Sequence, residues 1–441
     1  MAGIFKAYDI RGIYGQTLTD DIAYRIGKAI AAFLAPRRIV VGQDMRPHSE
    51  PLFRALARGL VEQGVEVVRL GLCSTPMSYF ANRLLKADGS VMITASHNPG
   101  EWNGFKICRA DAVPVSGATG IAEIEHLVEE RIFPPRAVLP GRITDYDVKP
   151  EYVARFRPYA DIRRPLRVLV DFANAMGIYE ADVFRGLFEI DPLFDTLDGT
   201  FPNHEANPLK HQTLEAARAK VKAGKYDFAA CFDGDADRVG FLDEKGDVIP
   251  MDMITALIAK TLLEKEPGAE IFYDLRSSWA VKEVIEEAGG HAHQSRVGHA
   301  FIKKQMREIG ALFAGELSGH YYFKENAYAE SSALAVLLIA NLVSRSEKPL
   351  SELIKPIHRY FESGEINSEV SDPPAALARL KAAYPDGKAM ELDGLSIEYP
   401  TWWFNVRCSN TEPLVRLNLE AKTRKEMEQR RDEVLALIRQ G

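Results

Sequence analysis

Four short stretches of this chain carry side chains whose types and spacing suit phosphate, metal and hydroxyl chemistry. The first is VMITASHNPGEWNGFKI, residues 91–107. An apolar run, Val91 to Thr94, reads as a buried strand that stops at a small hydroxyl residue, Ser96. His97, Asn98 and, past a turn expected at Asn103-Gly104, Lys106 follow it. A hydrophobic strand ending in polar residues is where an open α/β sheet places its chemistry.

The second stretch is Asp233-Gly234-Asp235-Ala236-Asp237-Arg238. Carboxylates at i, i+2 and i+4 point to one side if the segment is extended. Three like charges so close repel unless a cation lies between them. Oxygen-only ligands favour a hard ion, Mg²⁺ above all, which keeps further positions for water or phosphate. A calcium-binding EF-hand loop would also place an acid twelve positions on, where Glu244 stands. It requires glycine at the sixth position, however, and Arg238 is there. An acidic surface turn fits poorly, because the apolar run Phe228 to Phe232 leads straight into the acids.

The third stretch is Arg407-Cys408-Ser409-Asn410-Thr411-Glu412-Pro413. Arg407 offers a planar fork for a phosphate, and Ser409, Asn410 and Thr411 add hydroxyl, amide and backbone donors. Standing alone, it also fits a plain turn. The fourth is Gly315-Glu316-Leu317-Ser318-Gly319-His320, after the expected strand Ala311 to Ala314. Glu316, Ser318 and His320 alternate with apolar or small residues, an arrangement suited to sugar hydroxyls and equally to a satisfied structural turn. Ser96 needs a base or metal to act as a nucleophile. His97 beside it in an extended segment would face the other way, and no G-x-S-x-G elbow is present. A phosphorylated Ser96 set against the acids at 233, 235 and 237 uses both features better, with Lys106 as an acid/base or phosphate contact; alone, Lys106 also reads as a surface lysine.

The elements that must position these residues follow from periodicity. Thr19 caps a helix with apolar residues Ile22, Ile26, Ile30 and Phe33, and Ser49 is expected to cap another carrying Leu52, Leu56 and Leu60. Strands Ile39 to Val41, Val65 to Leu70 and Val91 to Thr94 alternate with these helices, which implies parallel pairing through right-handed crossovers. The pattern recurs in strands Arg167 to Phe172 and Phe228 to Phe232, then in Ile271 to Leu275 with the helices Met251 to Glu264 and Ala280 to Ala288. After Pro356 the segments become short and irregularly alternating, closed by a helix from Lys425 to Arg439. The fold class is therefore α/β: three tandem mixed α/β domains plus a C-terminal α+β domain. Expected domains are residues 1–147, 148–248, 249–357 and 358–441.

At 441 residues the chain is too long for one core and suggests roughly two to four domains. Its net charge of −7, with no basic run, argues against a nucleic-acid partner. The four cysteines are scattered and never approach C-x-x-C spacing, which argues against zinc or a disulfide framework and fits a cytoplasmic protein. The N-terminus lacks a signal-peptide pattern, and the apolar helix around Ala333 to Val343 is too short to span a bilayer.

Taken together, these stretches resemble the α-D-phosphohexomutase superfamily from end to end. TASHNP with NGFK resembles that family's phosphoserine loop, DGDADR its metal loop, GELSGH its sugar-specificity loop and RCSNTEP its phosphate-binding loop. AYDIRG (7–12), VGQDMRP (41–47), FPNHEANP (201–208) and VGH (297–299) match as well. The resemblance implies a heart-shaped four-domain architecture and a reversible conversion of hexose 1-phosphate and hexose 6-phosphate. Ser96 would give and receive phosphoryl groups through a hexose 1,6-bisphosphate intermediate, with Ser96, Asp233, Asp235 and Asp237 holding Mg²⁺. Tyr8, Arg11, His97 and Lys106 would surround the reacting phosphate, with Lys106 and His299 as candidates for proton transfer. Arg238, Arg276 and His320 would lie against the sugar or its phosphate. Glu316 and Ser318 would read the O3 and O4 hydroxyls, and Arg407, Ser409, Asn410 and Thr411 would hold the non-reacting phosphate.

GELSGH resembles the phosphomannomutase/phosphoglucomutase branch. The phosphoglucosamine branch usually has Gln in the position of Leu317 and DGDGDR for DGDADR, so mannose and glucose phosphates are favoured. Arg276 departs from the Lys of some bispecific members, and Glu330-Ser331-Ser332 departs from an acidic-Gly pair in many. A phosphoglucosamine mutase and a Mg²⁺-dependent sugar-phosphate phosphatase are the alternatives. Small-molecule sugar phosphates are the expected partners of a cytoplasmic monomer or homodimer that binds neither nucleic acid nor membrane. A mobile connection near residues 355–365 is expected to let the last domain close over the site.

Overall fold

A computed structural model describes residues 3–408 and 414–440. The first sheet holds β1 (Ile10–Ile13), β2 (Arg38–Gln43), β3 (Glu66–Leu72), β4 (Gly89–Ile93), β5 (Trp102–Arg109) and β6 (Ile143–Asp145). They lie in the order β1-β5-β4-β2-β3-β6. β2 pairs in parallel with β3 and β4, as the spacing predicts. β5 instead runs antiparallel between β4 and β1. The turn expected at Asn103-Gly104 is thereby corrected: both residues are mid-strand. Gly104 lies so close to β1 that a Cβ would sit 1.9 Å from the Ile10 carbonyl oxygen, so the glycine serves strand contact there. Lys106 stands opposite Met92 across the ladder and projects from a strand, not from a loop.

Thr19 caps its helix as expected, its Oγ1 accepting from Ile22 N at 3.3 Å. Ser49 does not. It is the first residue of the helix Ser49–Glu62, and its hydroxyl donates to the buried Asp44 Oδ1 at 2.6 Å, a stronger acceptor relationship than capping offers.

The second sheet holds β7 (Arg167–Asp171), β8 (Glu189–Leu193), β9 (Phe228–Phe232), β10 (Val239–Leu242) and β11 (Val248–Ile249), in the order β11-β10-β9-β7-β8. The third holds β12 (Glu270–Asp274), β13 (His291–Ser295), β14 (Phe313–Gly315), β15 (Tyr321–Phe323) and β16 (Ala329–Glu330), in the order β13-β12-β14-β15-β16. The three sheets share one scheme. Parallel trios β3-β2-β4, β8-β7-β9 and β13-β12-β14 are each extended by two antiparallel strands: β5 and β1, β10 and β11, β15 and β16. In each unit the chain turns back at the carboxyl end of the last parallel strand. Those reversals are the loops bearing Ser96, Asp233 to Arg238, and Glu316 to His320.

The fourth sheet is antiparallel and holds β17 (Phe361–Glu362), β18 (Ile366–Glu369), β19 (Lys388–Met390), β20 (Leu395–Glu398), β21 (Trp402–Cys408) and β22 (Leu414–Ala421). The helices Pro373–Ala383 and Arg424–Ile438 complete it, an α+β unit as expected.

One continuous apolar core runs through the first three units, from Val40 and Met77 through Phe156 and Phe232 to Met253 and Leu334. The fourth unit has its own, around Trp402, Phe404, Leu417 and Val434. The helix Ser332–Arg345 is buried nearly all round, and its Asn341 bonds Tyr159 O and Asp161 N, both at 2.7 Å. Among the described residues, no helix is long and apolar enough to cross a membrane.

Candidate active site

The three reversal loops meet. Ser96 is 1% exposed, and its Oγ donates to Asp233 Oδ2 at 2.9 Å. The same Oγ lies 3.1 Å from His97 Nδ1. The expectation that Ser96 and His97 face opposite ways is thus corrected. It assumed an extended backbone, whereas Ser96 has φ +51°, which swings its side chain back over its neighbour. Ser96 N donates to Thr94 Oγ1 at 2.8 Å, holding that conformation.

The acidic loop is a turn, not an extended segment: Ala236 has φ +59°, and Arg238 N returns to Asp233 Oδ1 at 3.2 Å. Asp233, Asp235 and Asp237 nevertheless converge, each offering an oxygen within 4.8 Å of the others. A Cβ on Gly234 would sit 2.3 Å from Ser96 O, so only glycine lets the two loops touch. Lys106 Nζ crosses from β5 to donate to Asp235 Oδ2 at 2.6 Å and Asp237 Oδ2 at 2.5 Å. Asp235 Oδ2 also accepts from Thr75 Oγ1 at 2.5 Å.

This donor set fits a divalent cation. Burial and the neighbouring Asp237 and Asp235 push Asp233 well above the usual carboxylate range. Asp235 Oδ1 is buried without a hydrogen-bond partner. A hard cation among these oxygens would relieve both.

The flanking cations and imidazoles sort by charge. Burial opposes the Lys106 ammonium, but Asp235 and Asp237 overcome it and raise its pKa above the ordinary lysine value. Burial, Arg238 and Arg11 hold His97 neutral, and burial, Lys303 and Lys106 do the same for His299. At His320, burial and Arg238 act against the charge, and Asp237 and Glu316 overcome both to give a pKa of about 9. Arg11 bonds Asp9 at 2.7 Å and Asn98 Oδ1 at 2.5 Å, which aims it at the Ser96 loop.

In the third unit, Glu316 Oε1 accepts from Gly298 N at 3.1 Å, and Oε2 accepts from Tyr322. Ser318 Oγ lies 2.8 Å from His320 Nδ1, and Arg238 Nε lies 3.1 Å from His320 Nε2. Glu316, Ser318 and His320 are therefore one cluster, joined to the acidic loop through Arg238 and Asp237. His299 opens the helix His299–Ile309, with its ring 5.6 Å from that of Tyr8.

Arg276 and Arg407 form a second group. Arg276 is gripped by Asp274 at 2.8 and 3.1 Å, and Asp274 Oδ2 also accepts from Leu317 N at 2.7 Å. Glu365 joins Arg407 at 2.9 Å and Arg276 at 3.5 Å. Ser409, Asn410 and Thr411 lie outside the described residues. Sequence reasoning missed Thr75 and Glu365. Thr75 reads only as a helix-start residue before Pro76, and Glu365 only as the first residue of a strand.

Fold and site together define a phosphotransferase of the four-domain mutase class. The phosphoglucomutase/phosphomannomutase family accounts for the chain piece by piece: its α/β/α domain I matches residues 2–134, domain II 150–246, domain III 250–360 and the C-terminal domain 365–437. A phosphomannomutase of Escherichia coli is 40% identical over 450 residues, covering 99% of both chains. One from Methanocaldococcus jannaschii is 42% identical, covering 99% of this chain and 97% of its own. A crystal structure of a phosphoglucomutase/phosphomannomutase family protein from Burkholderia thailandensis superposes with a TM-score of 0.91 at 32% identity, over 99% of this chain and 98% of that one. The chain belongs to the phosphoglucomutase/phosphomannomutase family of the α-D-phosphohexomutases, and it is a mutase that interconverts hexose phosphates.

Proposed function

We propose that the enzyme converts mannose and glucose 1-phosphates to their 6-phosphates and back through phospho-Ser96 and a hexose 1,6-bisphosphate, with Mg²⁺ on Ser96, Asp233, Asp235 and Asp237. The observation that carries this reading is the 2.9 Å contact of Ser96 Oγ with Asp233 inside the triple-aspartate cluster. Bound Mg²⁺ would offset the charge on the phosphoryl group in transit. Lys106 and Arg11 supply fixed positive charge beside Ser96. The neutral imidazoles of His97 and His299 can accept a proton from a sugar hydroxyl. Glu316 and Ser318 read the ring hydroxyls, with Tyr8, Arg238, Arg276 and His320 around the sugar. Arg407 with Ser409, Asn410 and Thr411 holds the phosphate that is not reacting.

The domains under this reading are residues 1–147, 148–248, 249–357 and 358–441. One chain supplies every residue of the site, so a monomer suffices, and a homodimer would carry two independent sites. Four free thiols fit the reducing cytoplasm. The relatives from Escherichia coli and Methanocaldococcus jannaschii are both named phosphomannomutases, which supports mannose phosphate over glucosamine phosphate. Competition among mannose 1-phosphate, glucose 1-phosphate and glucosamine 1-phosphate tests it. Isomerised mannose or glucose phosphate with a trace of bisphosphate is expected. Turnover of glucosamine phosphate alone, or release of free phosphate, would overturn the assignment.

A further inference from the structure

A buried cation beneath the Ser96 loop is not used by any step of the proposed transfer. Arg46 follows β2 within VGQDMRP and is 2% exposed. All five of its N–H groups are engaged. Nε donates to Asp44 Oδ2 at 3.1 Å. One terminal nitrogen donates to Pro99 O at 2.6 Å and Trp102 O at 3.0 Å. The other donates to Ser96 O at 2.8 Å and Asn98 O at 2.7 Å. The ring of Phe201, from the second unit, lies over the guanidinium at 4.9 Å.

The four carbonyls belong to the reversal between β4 and the start of β5. A chain that turns back on itself leaves its carbonyls without ladder partners, and buried ones need a donor. Here one planar fork donates to all four, with Trp102 N as a second donor to Pro99 O at 3.0 Å. The consequence for Ser96 is specific. Its left-handed conformation persists in a non-glycine residue only when the surroundings over-determine it. The bond from Ser96 N to Thr94 Oγ1 fixes the backbone on one side of the residue, and the bond from Arg46 to Ser96 O fixes it on the other. Between them they set the direction of Oγ toward Asp233. Lysine cannot replace this: an ammonium has three N–H groups and no planar fork.

We propose that Arg46 is a positioning residue for phosphoryl transfer, its guanidinium fixing residues 96–102 so that Ser96 Oγ faces the metal loop, and that Phe201 ties this setting to the second unit. The proposal rests on the reading of Ser96 as phosphoryl carrier.

The test compares full-length wild type with Arg46→Lys, Arg46→Ala and Phe201→Leu. Each is incubated with glucose 1,6-bisphosphate and Mg²⁺, with the rate of Ser96 phosphorylation followed by mass spectrometry beside kcat and KM for glucose 1-phosphate. In Arg46→Lys, Ser96 phosphorylation and kcat should both fall roughly 100-fold, the cost of misplacing a reacting group by about an ångström. KM should stay within about threefold, since the substrate's own contacts are intact. Added guanidinium, and not ammonium, should restore phosphorylation of Arg46→Ala. A folded Arg46→Lys that phosphorylates Ser96 and turns over like wild type overturns the proposal. If the Arg46 variants do not fold, Phe201→Leu decides, with a severalfold loss of kcat at constant KM expected and unchanged kcat overturning the proposal. Wild type that never acquires phosphate on Ser96 would instead overturn the phosphoserine reading itself.

Discussion

Arg407 and Glu365 are paired at 2.9 Å, so the arginine assigned to the non-reacting phosphate already carries a carboxylate. The other Glu365 oxygen lies 3.7 Å from Arg416. Burial opposes the Glu365 charge, and Arg276 and Arg407 overcome it, holding its pKa below the ordinary value. Under the proposed assignment, a sugar phosphate would share these guanidiniums with a standing anion. Glu365→Gln keeps the shape and removes the competing charge. KM for hexose phosphate should fall about threefold to tenfold, or roughly 0.7–1.4 kcal/mol. Steady-state kinetics at fixed Mg²⁺ checks it, and a KM that rises would mean that Glu365 orients Arg407 for phosphate instead of competing with it.

Ser96→Ala removes the atom that faces Asp233. Turnover should drop by at least about a thousandfold, as for loss of a covalent nucleophile. Stability should fall by only about 1–3 kcal/mol: the hydroxyl's contacts with Asp233 and His97 are lost and a buried Asp233 oxygen loses its donor, while alanine adopts the same backbone at similar cost. Coupled assays and thermal melts separate the two effects, and a variant with near-normal turnover would rule out the phosphoserine route.

Lys106→Met leaves Asp235 and Asp237 buried without their ammonium. Breaking a buried pair from one side costs about 3 kcal/mol or more. An Mg²⁺ bound at the proposed site would then have more to neutralise. Adding it should raise the melting temperature of the variant more than that of wild type, while activity stays low. Equal shifts in both proteins would mean that the ion and the lysine act on different carboxylates.

Sequence reading located the loops because each parallel strand runs into polar residues at its carboxyl end, and Phe228 to Phe232 keeps the bounds expected of it. The antiparallel partners were less legible. Asn103-Gly104 is a hairpin signal by composition, yet the glycine there answers to a neighbouring strand, a contact that local pattern does not encode. The left-handed Ser96 and its reach to His97 depend on tertiary hydrogen bonds. Thr75 meets Asp235 across 160 positions of chain, and no residue near Thr75 announces it.

Glu180 joins three units through one buried carboxyl, accepting from Ser74 Oγ of the first, Tyr152 OH of its own at 3.0 Å and Ala333 N of the third at 3.1 Å. Burial raises its pKa to about 7, against the lowering effect of those donors. In the unfolded chain it titrates near 4.5. Between these values the unfolded state releases a proton that the folded state keeps. The stability associated with the protonated group is therefore complete below about pH 4.5, declines as pH rises, and is lost above about pH 7. The loss amounts to about 3 kcal/mol. Glu180→Gln retains an acceptor for Tyr152 and Ala333 and a donor for Ser74, without the ionisation. Denaturant unfolding at pH 5.5 and pH 8 should show wild type losing stability between the two, and the variant losing less. Some dependence should persist, because burial also raises Glu420 to about 7 and Asp252 to about 6. Identical pH slopes for both proteins would mean that Glu180 is ionised in the folded state at pH 5.5, with its three donors outweighing burial.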